Sequence, residues 1–224
     1  MIKYKTEKMK KITLTCCSII VLFLFSSYTV KEDNDFYEIA FKTQQTLTNL
    51  TESIYSNGDT DLKKSLNSLE NSSKQLFKIL GDYSETNEIN LDYLNGLSNS
   101  QKALEKIINK LEDKEKSIHI MNDVTNDYNI KLKSINYGIS SNINVKVNVQ
   151  VRTLKEYGYY AFVKYSYDDE YIKRYEFNNP TNHAERDLAP GYYIIWIEKG
   201  DYKSKERKIE ITSKSEDNII YFEE

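Results

Sequence analysis

Residues 143–151 read Ile-Asn-Val-Lys-Val-Asn-Val-Gln-Val. Apolar and polar side chains alternate without a break, the period of a strand with one buried face and one wet face. Upstream, from Lys31 to Tyr137, there is no proline and the apolar residues recur at helical spacing. The period therefore changes near Gly138. The expected fold is α+β in two parts: an antiparallel helical bundle or coiled coil over residues 31–137, then an antiparallel β-sandwich over residues 139–224.

The helical part carries a seam that steps by four and three residues. Its first run is Phe36, Ala40, Thr43, Leu47, Leu50 and Ile54, and its second is Leu62, Leu66, Leu69, Ser73, Leu76 and Leu80. Asn57-Gly58-Asp59 interrupts them, with Asp59 or Thr60 placed to accept the free N–H groups of the next helix. Gly81 is the expected stop of the second helix. A third segment runs through Leu94, Leu97, Gln101, Leu104, Ile108 and Leu111, then Ile118, Met121, Thr125, Tyr128, Leu132 and Ile135. Its seam shifts phase at Glu112 to Lys116, so it is either one bent helix or two. Gly96 is a weak point, and Ser98 with Gln101 has capping-box spacing after it. Short connections favour a helical hairpin packed on the third segment.

Beyond the opening strand, strands are expected at Gly158 to Tyr167, Glu170 to Phe177, Gly191 to Glu198, Glu206 to Thr212 and Asn218 to Phe222. Asp168-Asp169, Asn178 to Leu188 and Gly200-Asp201 carry turn or loop chemistry. Closely spaced short strands with no intervening helix indicate a sandwich.

Within that region, Arg186-Asp-Leu-Ala-Pro-Gly-Tyr-Tyr-Ile-Ile-Trp-Ile-Glu-Lys-Gly200 resembles the signature of carboxypeptidase regulatory-like, or transthyretin-like, domains. Leu188, Pro190, Gly191 and Tyr193 match its Leu-x-Pro-Gly-x-Tyr pattern. The resemblance covers residues 143–222. It implies a small sandwich that serves as a spacer, folding aid or binding module, with no catalytic residues to carry over.

At the other end, Lys10-Lys11 leads into an apolar run through Phe25, followed by Ser26-Ser27. This is the layout of a secretory signal peptide over residues 1–29, with Ser27 and Thr29 at the small-residue positions before a cut. The rival reading is an uncleaved anchor across Ile12 to Val30, which is short and diluted by Thr and Ser for a span of about 20 apolar residues. Either way the chain is exported, to a periplasm, a cell surface or the exterior. Cys16 and Cys17 lie inside the apolar run, which argues against lipidation. They leave with the signal, and disulfides, thiol nucleophiles and cysteine metal sites leave with them.

Cleavage after Thr29 removes five lysines and one glutamate. From 31 basic and 34 acidic residues, 26 and 33 remain, a net charge of −7. Nucleic acid is not an expected partner, because its binding needs a basic face. The abundance of Lys, Asn, Ile and Tyr fits an AT-rich bacterial genome. A membrane is met only through the N-terminal segment, if it is retained. The helical seam is either the core of an intramolecular bundle or an assembly surface for another chain, with Thr43, Ser73 and Gln101 then tuning register.

No metal or cofactor is expected. The two histidines, His119 and His183, stand apart in sequence, and zinc needs several ligands at workable spacing. No nucleophile elbow, phosphate loop or dinucleotide fingerprint appears. Asp168-Asp169-Glu170 reads as a hairpin tip rather than a calcium loop. The candidate binding face is aromatic. If Ala161, Val163 and Tyr165 point inward, Tyr160 and Phe162 point outward, and Trp196 joins them when Tyr193, Ile195 and Ile197 point inward. Such a face suits a protein or glycan partner. The competing reading is ordinary strand composition, covered by the helical part. The sequence thus points to an exported, non-enzymatic binding or scaffold protein of a bacterial envelope or surface. The alternative is an enzyme, or its regulatory subunit, acting on envelope peptides or glycans. That alternative requires a cleft where two carboxylates or His183 converge.

Overall fold

The computed structural model describes residues 35–137, 146–167, 174–213 and 218–224. The N-terminal apolar segment, the start of the first expected strand at Ile143 and the Asp168-Asp169-Glu170 triplet lie outside the described residues. Among the described residues, four helices precede a sheet-rich region, so the chain is α+β. They are α1 (Asp35–Asn57), α2 (Thr60–Ser84), α3 (Leu91–Ile108) and α4 (Lys114–Tyr137). The third segment is therefore two helices. They part at residues 109–113, where the Asp113 carboxylate accepts the Lys116 N–H at 3.2 Å.

The expected seam is the packed stripe. Leu47, Leu50 and Ile54 of α1, Leu62, Leu66, Leu69, Leu76 and Leu80 of α2, Leu97 and Leu104 of α3, and Met121 and Tyr128 of α4 are all buried. Asp59 caps α2 as expected, accepting from the N–H groups of Asp61 and Leu62 at 2.9 and 3.0 Å. Two expected boundaries are corrected. Helix α2 passes through Gly81 and ends at Ser84. Its last turn is held by packing, with the buried Ser84 hydroxyl donating to the Gly81 carbonyl at 2.9 Å and sharing a hydrogen bond with the Tyr37 hydroxyl at 3.0 Å. Helix α3 begins before Gly96, capped by Asn90, whose side chain accepts the Asp92 N–H at 2.8 Å. The Ser98 capping box is unused. Helix α1 packs on α2 and α3, and α4 packs on the same two helices.

Among the described residues, eight strands follow: β1 (Val147–Thr153), β2 (Tyr160–Tyr165), β3 (Tyr175–Glu176), β4 (Ala184–Leu188), β5 (Gly191–Lys199), β6 (Tyr202–Lys203), β7 (Arg207–Ile211) and β8 (Ile219–Phe222). One sheet has the order β4-β1-β8, and the other runs β3-β2-β5-β6 with β7 also paired to β5. The pairing is antiparallel except between β1 and β8, which run parallel. A wholly antiparallel arrangement is corrected at that pair.

Strand β4 falls inside the stretch expected to be loop. Ala-Glu-Arg-Asp-Leu has three charged residues in a row, and only Ala184 and Leu188 signal the alternation. Arg186, between them, occupies an inward-facing position by laying its guanidinium 4.9 Å from the Tyr175 ring centroid and donating to the Glu176 carbonyl at 2.7 Å. Strand β5 is the nearly continuous apolar run of the sequence because both of its faces are covered. Tyr193, Ile195 and Ile197 enter the main core, while Ile194 and Trp196 form a separate cluster with Phe162. Inward residues of the helices and of both sheets belong to one apolar core, and Asp35–Glu224 forms one compact unit.

Candidate functional site

Tyr160, Phe162 and Trp196 stand on one face of the larger sheet. Phe162 lies directly opposite Trp196 across the β2–β5 ladder, and Tyr160 opposite Glu198. The two rings stack with centroids 5.7 Å apart. Exposure separates the three. Tyr160 is 47% exposed, but Trp196 is 0% and Phe162 is also buried.

The cover is charged. Arg174 places its guanidinium 4.5 Å from the Phe162 centroid, and Lys203 and Lys164 bring their ammonium groups within 4.8 and 5.9 Å of the Trp196 ring. Long cationic side chains cover apolar surface with their stems while their heads meet the ring faces. The Trp196 indole N–H donates to Glu198 at 2.7 Å, and Glu206 pairs with both Lys164 and Lys203. Of the three expected face residues, only Tyr160 is therefore an open ring. The other two lie beneath cationic side chains, Lys164 and Lys203 from their own sheet and Arg174 just before β3.

A second constellation lies where the helices meet the sheets. Asp127 and Lys131 of α4 are both buried, and the Lys131 ammonium donates to the two Asp127 carboxylate oxygens at 2.8 and 2.7 Å. One of those oxygens also accepts the Tyr192 N–H at 3.0 Å. Removing two charges from water is costly unless geometry and further hydrogen bonds compensate, and here both do. Gly191 makes the approach feasible, since a Cβ there would lie 2.7 Å from the Asp127 oxygen and 3.1 Å from the Lys131 nitrogen. The Tyr193 hydroxyl folds back to donate to the Ala189 carbonyl at 2.8 Å. Thus Leu188-x-Pro190-Gly191-x-Tyr193 is both a self-tied turn and the seat for an α4 carboxylate.

Gly96 of α3 serves the same joint. Its bare Cα admits the Tyr165 ring, whose hydroxyl would sit 3.1 Å from a Cβ, and its carbonyl accepts the Tyr167 hydroxyl at 2.9 Å. Tyr165 stacks on both Tyr167 and Tyr193. Burial pushes the phenols of Tyr93, Tyr128, Tyr165, Tyr167 and Tyr193 above the ordinary tyrosine range. The Asp127 carboxylate adds to the rise at each of them.

No family model, curated protein or solved structure matches the chain. Its chemistry is therefore read from its own residues. His119 meets Asp123 at 3.5 Å and Lys208 at 2.8 Å, whereas His183 lies exposed in the turn before β4. Among the described residues, no group of three or more His, Cys, Asp or Glu is arranged to hold a metal, and no helix is long and apolar enough to cross a membrane.

The Asp127–Lys131 pair was not singled out from sequence, although a signal was there. Ile120, Val124, Asp127, Lys131 and Ser134 form a second buried row beside the Met121–Tyr128 seam. A charged i,i+4 pair in line with Ile120 and Val124 marks a helix buried on two sides. Spacing alone leaves it looking like an ordinary surface pair.

Proposed function

We propose that this chain is an exported, non-enzymatic binding or scaffold protein of a bacterial envelope or surface. In this reading an antiparallel helical bundle carries a transthyretin-like β-sandwich. The observation that carries it is the joint itself. The phenols of Tyr165, Tyr167 and Tyr193 and the Asp127–Lys131 pair are buried where helices meet strands, and they serve packing and docking there. Charge and phenols spent in this way hold two layers in fixed register, the use expected in a rigid carrier. The sheet face with open Tyr160 over the Phe162–Trp196 pair gives the carrier an aromatic surface.

The signal layout of residues 1–29 supports export, with a mature N-terminus between Ser27 and Glu32. Intact-mass measurement of protein from its native host tests that part, and a full-length membrane-embedded species would replace it with an anchor. Capture from the native envelope with the tagged chain tests the binding role. A protein or glycan should be enriched by the chain over an unrelated tagged protein, and no enrichment would overturn the binding role. Turnover of an envelope peptide or glycan by the purified chain would overturn the non-enzymatic reading.

A further inference from the structure

Another open aromatic surface lies at the end of the strands where β2 begins and β5 turns into β6. Tyr157 is 72% exposed, Leu154 64% and Tyr202 43%. The connection between β1 and β2, the β5–β6 turn and the residues after β8 meet there. Lys199 donates to the Tyr157 carbonyl at 2.9 Å, and the N–H groups of Lys155 and Glu156 donate to the Glu224 carbonyl at 2.8 and 3.1 Å. The Tyr202 ring packs edge-on against Tyr159 with centroids 5.7 Å apart, and its hydroxyl donates to the Glu224 carboxylate. That hydrogen bond raises the Tyr202 phenol to about 12. The Tyr202 ring and the Tyr157 backbone are therefore held by neighbours while a large part of each side chain stays open.

We infer that this end binds a neutral oligosaccharide through Tyr157 and Tyr202. Two properties select that occupant. The first is charge. Glu156 is offset by Lys199 at 3.4 Å, Glu224 accepts from the Tyr202 hydroxyl, and Lys155 and Lys203 follow Leu154 and Tyr202 in sequence, so neither a polyanion nor a polycation gains a strong Coulomb attraction. Each carboxylate retains lone pairs for a ligand's hydroxyl groups. The second is area. At about 200 Å² per aromatic side chain, the exposed parts of Leu154, Tyr157 and Tyr202 present on the order of 300 Å². A standard protein interface takes about 800 Å² from each partner. A short sugar chain, with apolar C–H faces and a hydroxyl rim, matches flat open tyrosines flanked by acceptors. This inference rests on the reading of the chain as a binding protein and places the contact elsewhere than at Tyr160.

Affinity electrophoresis of the full chain through gels containing xylan, hydroxyethyl cellulose, glycol chitin or amylose tests it. At least one neutral polysaccharide should retard the wild type. Tyr157→Ala and Tyr202→Ala should each weaken that retardation at least fivefold, with unchanged circular dichroism, while Tyr55→Ala, at an exposed ring of α1, keeps it. Failure of all four polymers to retard the chain would overturn the inference, as would retardation unaffected by the two substitutions. Retardation by dextran sulfate alone would also overturn it. Loss in Tyr160→Ala alone would move the site to the sheet face, leaving the binding role intact and this inference wrong. Capture of a protein through Tyr157 with no glycan bound would have the same consequence.

Discussion

The Asp127 carboxylate accepts the backbone N–H of Tyr192 at 3.0 Å, joining α4 to the first turn of β5 across 65 residues of sequence. Lys131 neutralises the same carboxylate from one helical turn further on. Replacing Lys131 with Met should therefore leave a buried, uncompensated carboxylate and cost about 3–5 kcal/mol. The double variant Asp127→Asn/Lys131→Met keeps an acceptor for Tyr192 and should be more stable than Lys131→Met alone. Urea unfolding measures both. A Lys131→Met protein as stable as wild type would mean that water reaches the pair.

Gly191→Ala probes the same contact from the strand side. The added Cβ would lie 2.7 Å from a carboxylate that is fixed by two partners. A loss of about 1–3 kcal/mol is expected, as for overpacking in a filled core. Thermal melting of the variant checks this, and an unchanged midpoint would show that α4 moves freely against β5.

Trp196 gives a third test because it is the only tryptophan of the chain. Fully buried against Phe162, with its indole N–H held by Glu198, it should emit at short wavelength and resist aqueous quenchers. Trp196→Ala should cost about 3–5 kcal/mol of stability. A red-shifted, readily quenched emission would return Trp196 to the open aromatic face, one of the two readings of the sequence.

The alkaline limit follows from the buried phenols. Tyr93, Tyr128, Tyr165, Tyr167 and Tyr193 have folded pKa values raised above the unfolded value of about 10. Below that pH both states keep the protons, and the stability is fully present. Above it the unfolded chain releases protons that the folded chain retains. Stability should then fall by about 1.4 kcal/mol per pH unit for each such group until its folded pKa is reached. Phenolate absorbance and circular dichroism followed together should show these tyrosines ionising only as the fold is lost. Ionisation of every tyrosine with intact dichroism would contradict their burial.

Residues 139–224 expressed alone should give a β-rich spectrum and a cooperative melt, at a lower midpoint than the full chain. The fragment lacks the Gly96 carbonyl that accepts from Tyr167 and the Asp127 carboxylate that accepts from Tyr192. A molten fragment would mean that the strands depend on the helices for their core.

The sequence by itself determined the α+β order, the helical stripes and most strand positions. Those properties follow from local periodicity, and the residues that set it, such as Leu62 to Leu80 and Val147 to Val151, are buried as their spacing requires. It also placed Tyr160, Phe162 and Trp196 on one face, because strand alternation fixes side-chain direction. Tertiary structure decided what covers that face. Lys164, Lys203 and Arg174 reach Phe162 and Trp196 from β2, β6 and the position before β3 respectively, and long flexible cations leave no periodic mark. It likewise decided the roles of Gly96 and Gly191, which read locally as a weak point and a turn. Their missing Cβ atoms matter through Tyr165 and Asp127, partners more than 60 residues away, and only packing brings such distant groups into contact.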